Sequence, residues 1–143
     1  FFTSCFSCPA ARRIHEAGGA IVQAHPYRER DYLNAIRLNP YFVDAAETVN
    51  IGNEPYQDAL AADYAKKYRL PVTGGTDMHN IEWGQTTSGV ETEQPIRSIQ
   101  DFADMLRSGK GFRPIEAGER AGREEKETYL PVLLYGKDGI WIE

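Results

Sequence analysis

Leu70-Pro71-Val72-Thr73-Gly74-Gly75-Thr76-Asp77-Met78-His79-Asn80 is the stretch on which the fold turns. Its apolar opening suits a short buried strand, and the two glycines allow close backbone approach at the strand's end. Asp77 and His79 follow two residues apart, so in extended chain both side chains face the same way. A carboxylate and an imidazole so placed suit zinc, manganese or iron, with water completing the coordination. The plainer reading is a turn aspartate beside a surface histidine.

Upstream, Tyr56, Ala59, Leu60, Tyr64 and Ala65 recur at helical spacing from Pro55 to Tyr68, and Lys66, Lys67 and Arg69 complement that helix's C-terminal dipole. Val43 to Val49 reads as a strand ending in Asn50-Ile51-Gly52-Asn53, which is turn chemistry. Asp31 to Leu38 reads as a short helix stopped by Asn39-Pro40. Ala20 to Ala24 is a buried strand bounded by His25-Pro26, preceded by a helix from Pro9 to Ala17 that Gly18-Gly19 ends. Helix and strand thus alternate, which is the α/β pattern of parallel strands joined by helical crossovers.

Downstream, a polar loop is expected from Asn80 to Pro95. A helix from Ser98 to Ser108 follows, with Ser98 as N-cap, Ile99, Phe102 and Leu106 inward, and Gly109 as its stop. Tyr129 to Tyr135 and Gly139 to Ile142 read as a terminal β-hairpin around Gly136-Lys137-Asp138-Gly139. The chain divides at about residue 112, with a linker and the hairpin over 113–143.

The 143 residues, 41% hydrophobic and 26% charged, match one globular domain. A net charge of -5 and a pI near 5.3 argue against duplex nucleic acid as a partner. The charge cluster from Glu116 to Glu127 mixes both signs, as solvated surface does. No apolar run reaches the roughly 18 residues of a membrane span, and the opening lacks a signal's basic flank. A cytoplasmic protein is expected, in a chain that begins on Phe1 and has lost its own start. Cys5 and Cys8 could be a redox pair or half a zinc knuckle, but no second Cys pair completes a knuckle, and two reduced thiols are expected. His15 is expected at an exposed helical position.

Ligands in parallel α/β folds bind outside the carboxyl ends of the strands. His25 follows the first strand, Glu47 and Asn50 lie on or after the second, and Asp77 and His79 follow the third. Singly, each has a bland alternative. His25 could close a strand by hydrogen bonding, Arg28 could be a solvated charge rather than a phosphate clamp, and Glu47 could sit on an outward edge. Their coincidence at the same ends of consecutive strands favours a shared site.

Three runs carry a family resemblance: Gly18-Gly19-Ala20-Ile21-Val22-Gln23-Ala24-His25-Pro26-Tyr27-Arg28, Glu47-Thr48-Val49-Asn50, and Leu70 to Asn80. Over roughly residues 9 to 112 the chain resembles the C-terminal half of a PHP (polymerase and histidinol phosphatase) domain. The resemblance implies part of a distorted seven-stranded β/α barrel with two or three divalent metal ions at its carboxyl rim, hydrolysing phosphate esters. His25, Asp77 and His79 would be metal ligands, Asn50 and Glu47 would line the site, and Arg28 would contact the phosphate of a small phosphorylated substrate. The cations would activate water and hold phosphoryl oxygens.

The family's N-terminal His-x-His has no counterpart here. The expectation is therefore a fragment catalytically weak alone, partnered by the missing half of its domain or by itself. An amidohydrolase-type hydrolase and a non-catalytic PHP-like module are the alternatives.

Overall fold

The computed structural model describes residues 7–80, 88–116 and 127–142. Helix α1 spans Ser7–Glu16, close to expectation, and strand β1 is reduced to Val22–Gln23. Cys5 lies outside the described residues, while Cys8 falls within α1. His15 is not a bare surface residue: its Nε2 lies 2.8 Å from Asp44 Oδ2, which ties α1 to the amino end of the central strand.

The helix expected over Asp31 to Leu38 does not form. Turns lead instead into strand β2, Ile36–Leu38. Ile36 and Leu38 are buried on either side of exposed Arg37, which is the period of a strand. Strand β2 pairs in parallel with a strand far along the chain, so the local pattern was overridden by a distant partner.

Strand β3, Ala45–Asn50, is followed by helix α2, Pro55–Tyr68, and strand β4, Val72–Gly75. Pro55 sits at the start of α2, Gln57 Oε1 accepts from the Glu54 amide at 3.1 Å, and Arg69 ends the helix in the left-handed conformation. These strands form a parallel sheet in the order β1-β3-β4. The β3 to β4 crossover is helical as expected, but the β1 to β3 connection carries β2 instead. The fold is mixed α/β with parallel strands, and the strands make no closed barrel among the described residues.

Two further strands occupy or follow the expected loop. Strand β5, Ser88–Thr92, and strand β6, Phe112–Glu116, pair antiparallel on either side of helix α3, Ile99–Ser108. The part of that loop at 81–87, and most of the charge cluster at 117–126, lie outside the described residues. The ribbon approaches β4 closely: a Cβ on Gly74 would come within 2.5 Å of the Gly89 carbonyl oxygen. Ser98 caps α3 by accepting from the Asp101 amide at 3.1 Å, and Gly109 ends it at φ 64°. Leu106 is buried and Phe102 half-buried, but Ile99, expected inward, is 85% exposed.

The terminal hairpin forms from β7, Val132–Tyr135, and β8, Ile140–Ile142. Its first strand also completes the sheet β2-β7-β8, which ties the end of the chain into the body. Helix α2 packs with both sheets. Ala61, Tyr64 and Ala65 meet Ala46 of β3, Ile36 and Leu38 of β2, and Val132 and Leu134 of β7 in one apolar cluster. Gln23 joins the two sheets at this seam. Its side chain donates to the Arg37 carbonyl at 2.6 Å and accepts from the Asn39 amide at 3.0 Å and the Tyr64 hydroxyl at 2.9 Å. No described helix is long and apolar enough to cross a membrane.

Candidate functional site

Because β1, β3 and β4 run parallel and adjacent, the residues following them gather at one edge. His25 lies two residues beyond β1, Asn50 ends β3, and Asp77 lies two residues beyond β4. Both His25 and Asp77 take positive φ angles, 30° and 52°. Such angles are uncommon for residues with a Cβ, and here they sit at the two strand exits that frame the site.

Glu47 anchors the first side. Its Oε2 accepts from the His25 backbone amide at 2.7 Å and from Asn50 Nδ2 at 2.8 Å. Residues three apart on a regular strand point to opposite faces, so the Glu47–Asn50 contact needs a break in parity. The break is present: the β3–β4 register shifts between Glu47 and Val49, a bulge that re-aims the end of β3. Gly75 leaves room for this carboxylate, since a Cβ there would meet Glu47 Oε1 at 2.2 Å and displace it.

Arg28 is the centre of the arrangement. It is 8% exposed, and its guanidinium donates through Nε to Asn53 Oδ1 at 2.7 Å, through Nη2 to Asn50 Oδ1 at 2.7 Å, and through Nη1 to Asp77 Oδ2. Asp58, from the first turn of α2, holds both asparagines. Its Oδ2 accepts from the Asn50 amide at 3.0 Å and its Oδ1 from Asn53 Nδ2 at 2.7 Å. Asn53 and Asp58 are members that the sequence did not single out. Asn53 belongs to a plain turn, and Asp58 is an acidic residue in the first turn of α2.

The other oxygen of Asp77, Oδ1, lies 3.3 Å from Nε2 of His79, whose side chain is 71% exposed. Burial pushes the Asp77 carboxyl upward, but the Arg28 hydrogen bond and charge, with His25 and His79 adding to them, hold it below its usual range. The three expected metal ligands thus occupy one edge. Asp77 and His79 are paired, and His25 is within electrostatic reach. Among the described residues, no three His, Cys, Asp or Glu side chains come together closely enough to hold a metal ion. Arg28, expected as a phosphate contact, is turned into the protein against Asp77, Asn50 and Asn53.

Residues 55–110 match the PHP-associated family model. The match is consistent with a PHP-family C-terminal region, and it takes in α2, β4, Asp77, His79 and α3. His25, Arg28, Glu47 and Asn50 lie outside the matched residues. No curated protein and no solved structure matches the chain.

Proposed function

We propose that this chain is part of a PHP-type metal-dependent phosphoesterase acting on a small phosphate monoester or short nucleotide. The observation that carries the reading is the convergence of His25, Glu47, Asn50, Asp77 and His79 on the carboxyl edge of three adjacent parallel strands. Two of these, Asp77 and His79, fall inside the PHP-associated match. In this reading the chain contributes part of a β/α barrel, and His25, Asp77 and His79 each supply one ligand to a centre of two or three divalent ions. Such ions would supply Lewis acidity toward water and phosphate.

The chain's own residues perform the positioning. Glu47 fixes the His25 backbone, and the Arg28 network fixes the Asp77 carboxylate and leaves Oδ1 toward His79. Asp77 with His79 makes a two-donor grip, so further ligands, from elsewhere in the parent protein or from a second copy of the chain, are needed to close a multi-metal centre.

One observation favours the second reading, a non-catalytic PHP-like module: Asp77 Oδ2 is already engaged by an internal guanidinium. Metal analysis of the native protein, combined with a phosphate-release screen on small phosphate esters, separates the two. Bound zinc, manganese or iron, with turnover abolished by Asp77→Ala and by His25→Ala, is expected. A folded native protein that carries no metal and releases no phosphate would establish the module.

A further inference from the structure

We infer that the chain holds a second binding site, away from the strand-end edge, for a small molecule with an apolar body and one anionic group. The site is a cavity of about 600 Å³ between the last turn of α2, the end of α3 and the start of β4. Small-molecule sites have volumes of roughly 300–1,000 Å³. The cavity lies toward the amino end of β4, whereas Asp77 and His79 follow its carboxyl end, so the inference does not depend on the chemistry of the edge.

The walls define the class of ligand. Ala62, Ala65, Leu70, Pro71 and Val72 supply an apolar surface. Gly109 closes the α3 side tightly, since a Cβ there would lie 2.9 Å from Pro71 Cγ. Thr48 of β3 is the buried polar member of the lining. It is 7% exposed, and its hydroxyl has no hydrogen-bond partner among the described residues. Buried hydroxyls are ordinarily paired, so this one offers a bond to a polar atom that enters the cavity.

The charge of the lining is one-sided. Its ionisable residues are Lys66 and Arg69, both cationic and exposed at the cavity mouth, in a chain whose net charge is -5. Among the described residues neither forms an ion pair. The carbonyls of the two helix ends do not offset them. Backbone amides cap these carbonyls: Arg69 donates to Lys66 at 3.3 Å, Leu70 to Ala65 at 2.9 Å and Gly109 to Met105 at 3.1 Å. The two side chains therefore set a positive sign at the mouth, and an ammonium beside a guanidinium suits a carboxylate or a phosphate.

The test titrates octanoate, octyl phosphate and 1-octanol into the full chain and follows backbone amide shifts by NMR. At least one of the two anions should shift the amides of Thr48, Val72 and Gly109 to saturation, and the tighter one identifies the head group. Octanol should bind about tenfold more weakly, the loss expected for two exposed ion pairs. Lys66→Gln combined with Arg69→Gly removes both charges, and glycine accepts the φ of 57° at residue 69. This double variant should lose about tenfold in affinity for the anion. Thr48→Val, close in shape, should lose about fivefold. Absence of saturable shifts at these amides, octanol binding as tightly as both anions, or parental affinity in either variant overturns the inference. Should Thr48→Val fail to fold, the double variant, altered only at exposed residues, decides the outcome.

Discussion

The seam where α2 meets β2 and β7 and the Arg28 network behind the carboxyl ends of β1, β3 and β4 are both buried, yet opposite means hold them. The seam is built from Ile36, Leu38, Ala61, Tyr64, Ala65, Val132 and Leu134, and its cohesion comes from removing apolar surface from water. The edge buries Arg28, Asn50, Asn53 and Asp58 around one carboxylate, and its cohesion comes from each polar group finding a partner. An apolar seam tolerates a smaller side chain at graded cost, whereas a buried charge network fails when one member leaves its partner unpaired.

The largest expected effect lies at the edge. Arg28→Ala takes the guanidinium away from Asp77 Oδ2 and Asn53 Oδ1, while Asn50 Oδ1 keeps the Gly52 amide, and urea unfolding of the protein should show a loss of about 3–5 kcal/mol. At the seam, Leu38→Ala removes a fully buried side chain and should cost about 3 kcal/mol by the same measurement. If the two ranked in reverse, the contrast between charge network and apolar seam would be wrong.

A smaller effect comes from a third buried cluster. Glu29 accepts from the Tyr56 and Thr128 hydroxyls and from the Tyr129 amide at 3.0 Å, which fastens the segment before β7 beside Arg28. Burial and the Glu29 hydrogen bond push the Tyr56 hydroxyl up to about 12. A raised folded-state pKa gives stability that is full below the unfolded value of about 10 and is lost as pH rises toward the folded one. Alkaline unfolding should therefore begin above about pH 10. Tyr56→Phe should cost about 1 kcal/mol at neutral pH and soften that alkaline fall. Smallest is the exposed cap of α3, where Ser98→Ala should cost about 1 kcal/mol or less and leave the edge untouched.

Legibility in the sequence followed how local each cause was. Helices α2 and α3 were readable because their caps and stops lie within a few residues of them, at Pro55, Ser98 and Gly109. Strands β3 and β4 were readable as apolar runs closed by turn residues. Strands β2 and β6 were not, because a three-residue strand and an antiparallel edge acquire meaning only from β7 and β5. At the site, strand-end placement located His25, Asp77 and His79, since parallel topology alone gathers such residues. The bulge in β3 was hidden, so the Glu47–Asn50 contact could not be read from parity. Arg28, expected to contact substrate phosphate, donates to Asn50, Asn53 and Asp77 instead, and nothing local in the sequence shows these partners.

The chain supplies its own control for the central claim that His25, Asp77 and His79 share one cation site. His15 is the third histidine, paired with Asp44 just before β3 and so at the opposite end of the sheet. Mn²⁺ should therefore be titrated into the protein while the imidazole signals of all three histidines are followed by NMR. Joint broadening of His25 and His79 at substoichiometric Mn²⁺, with His15 sharp and the effect lost in Asp77→Ala, is the predicted result. Broadening of His15 equal to theirs, or of only one of the other two, would contradict the account.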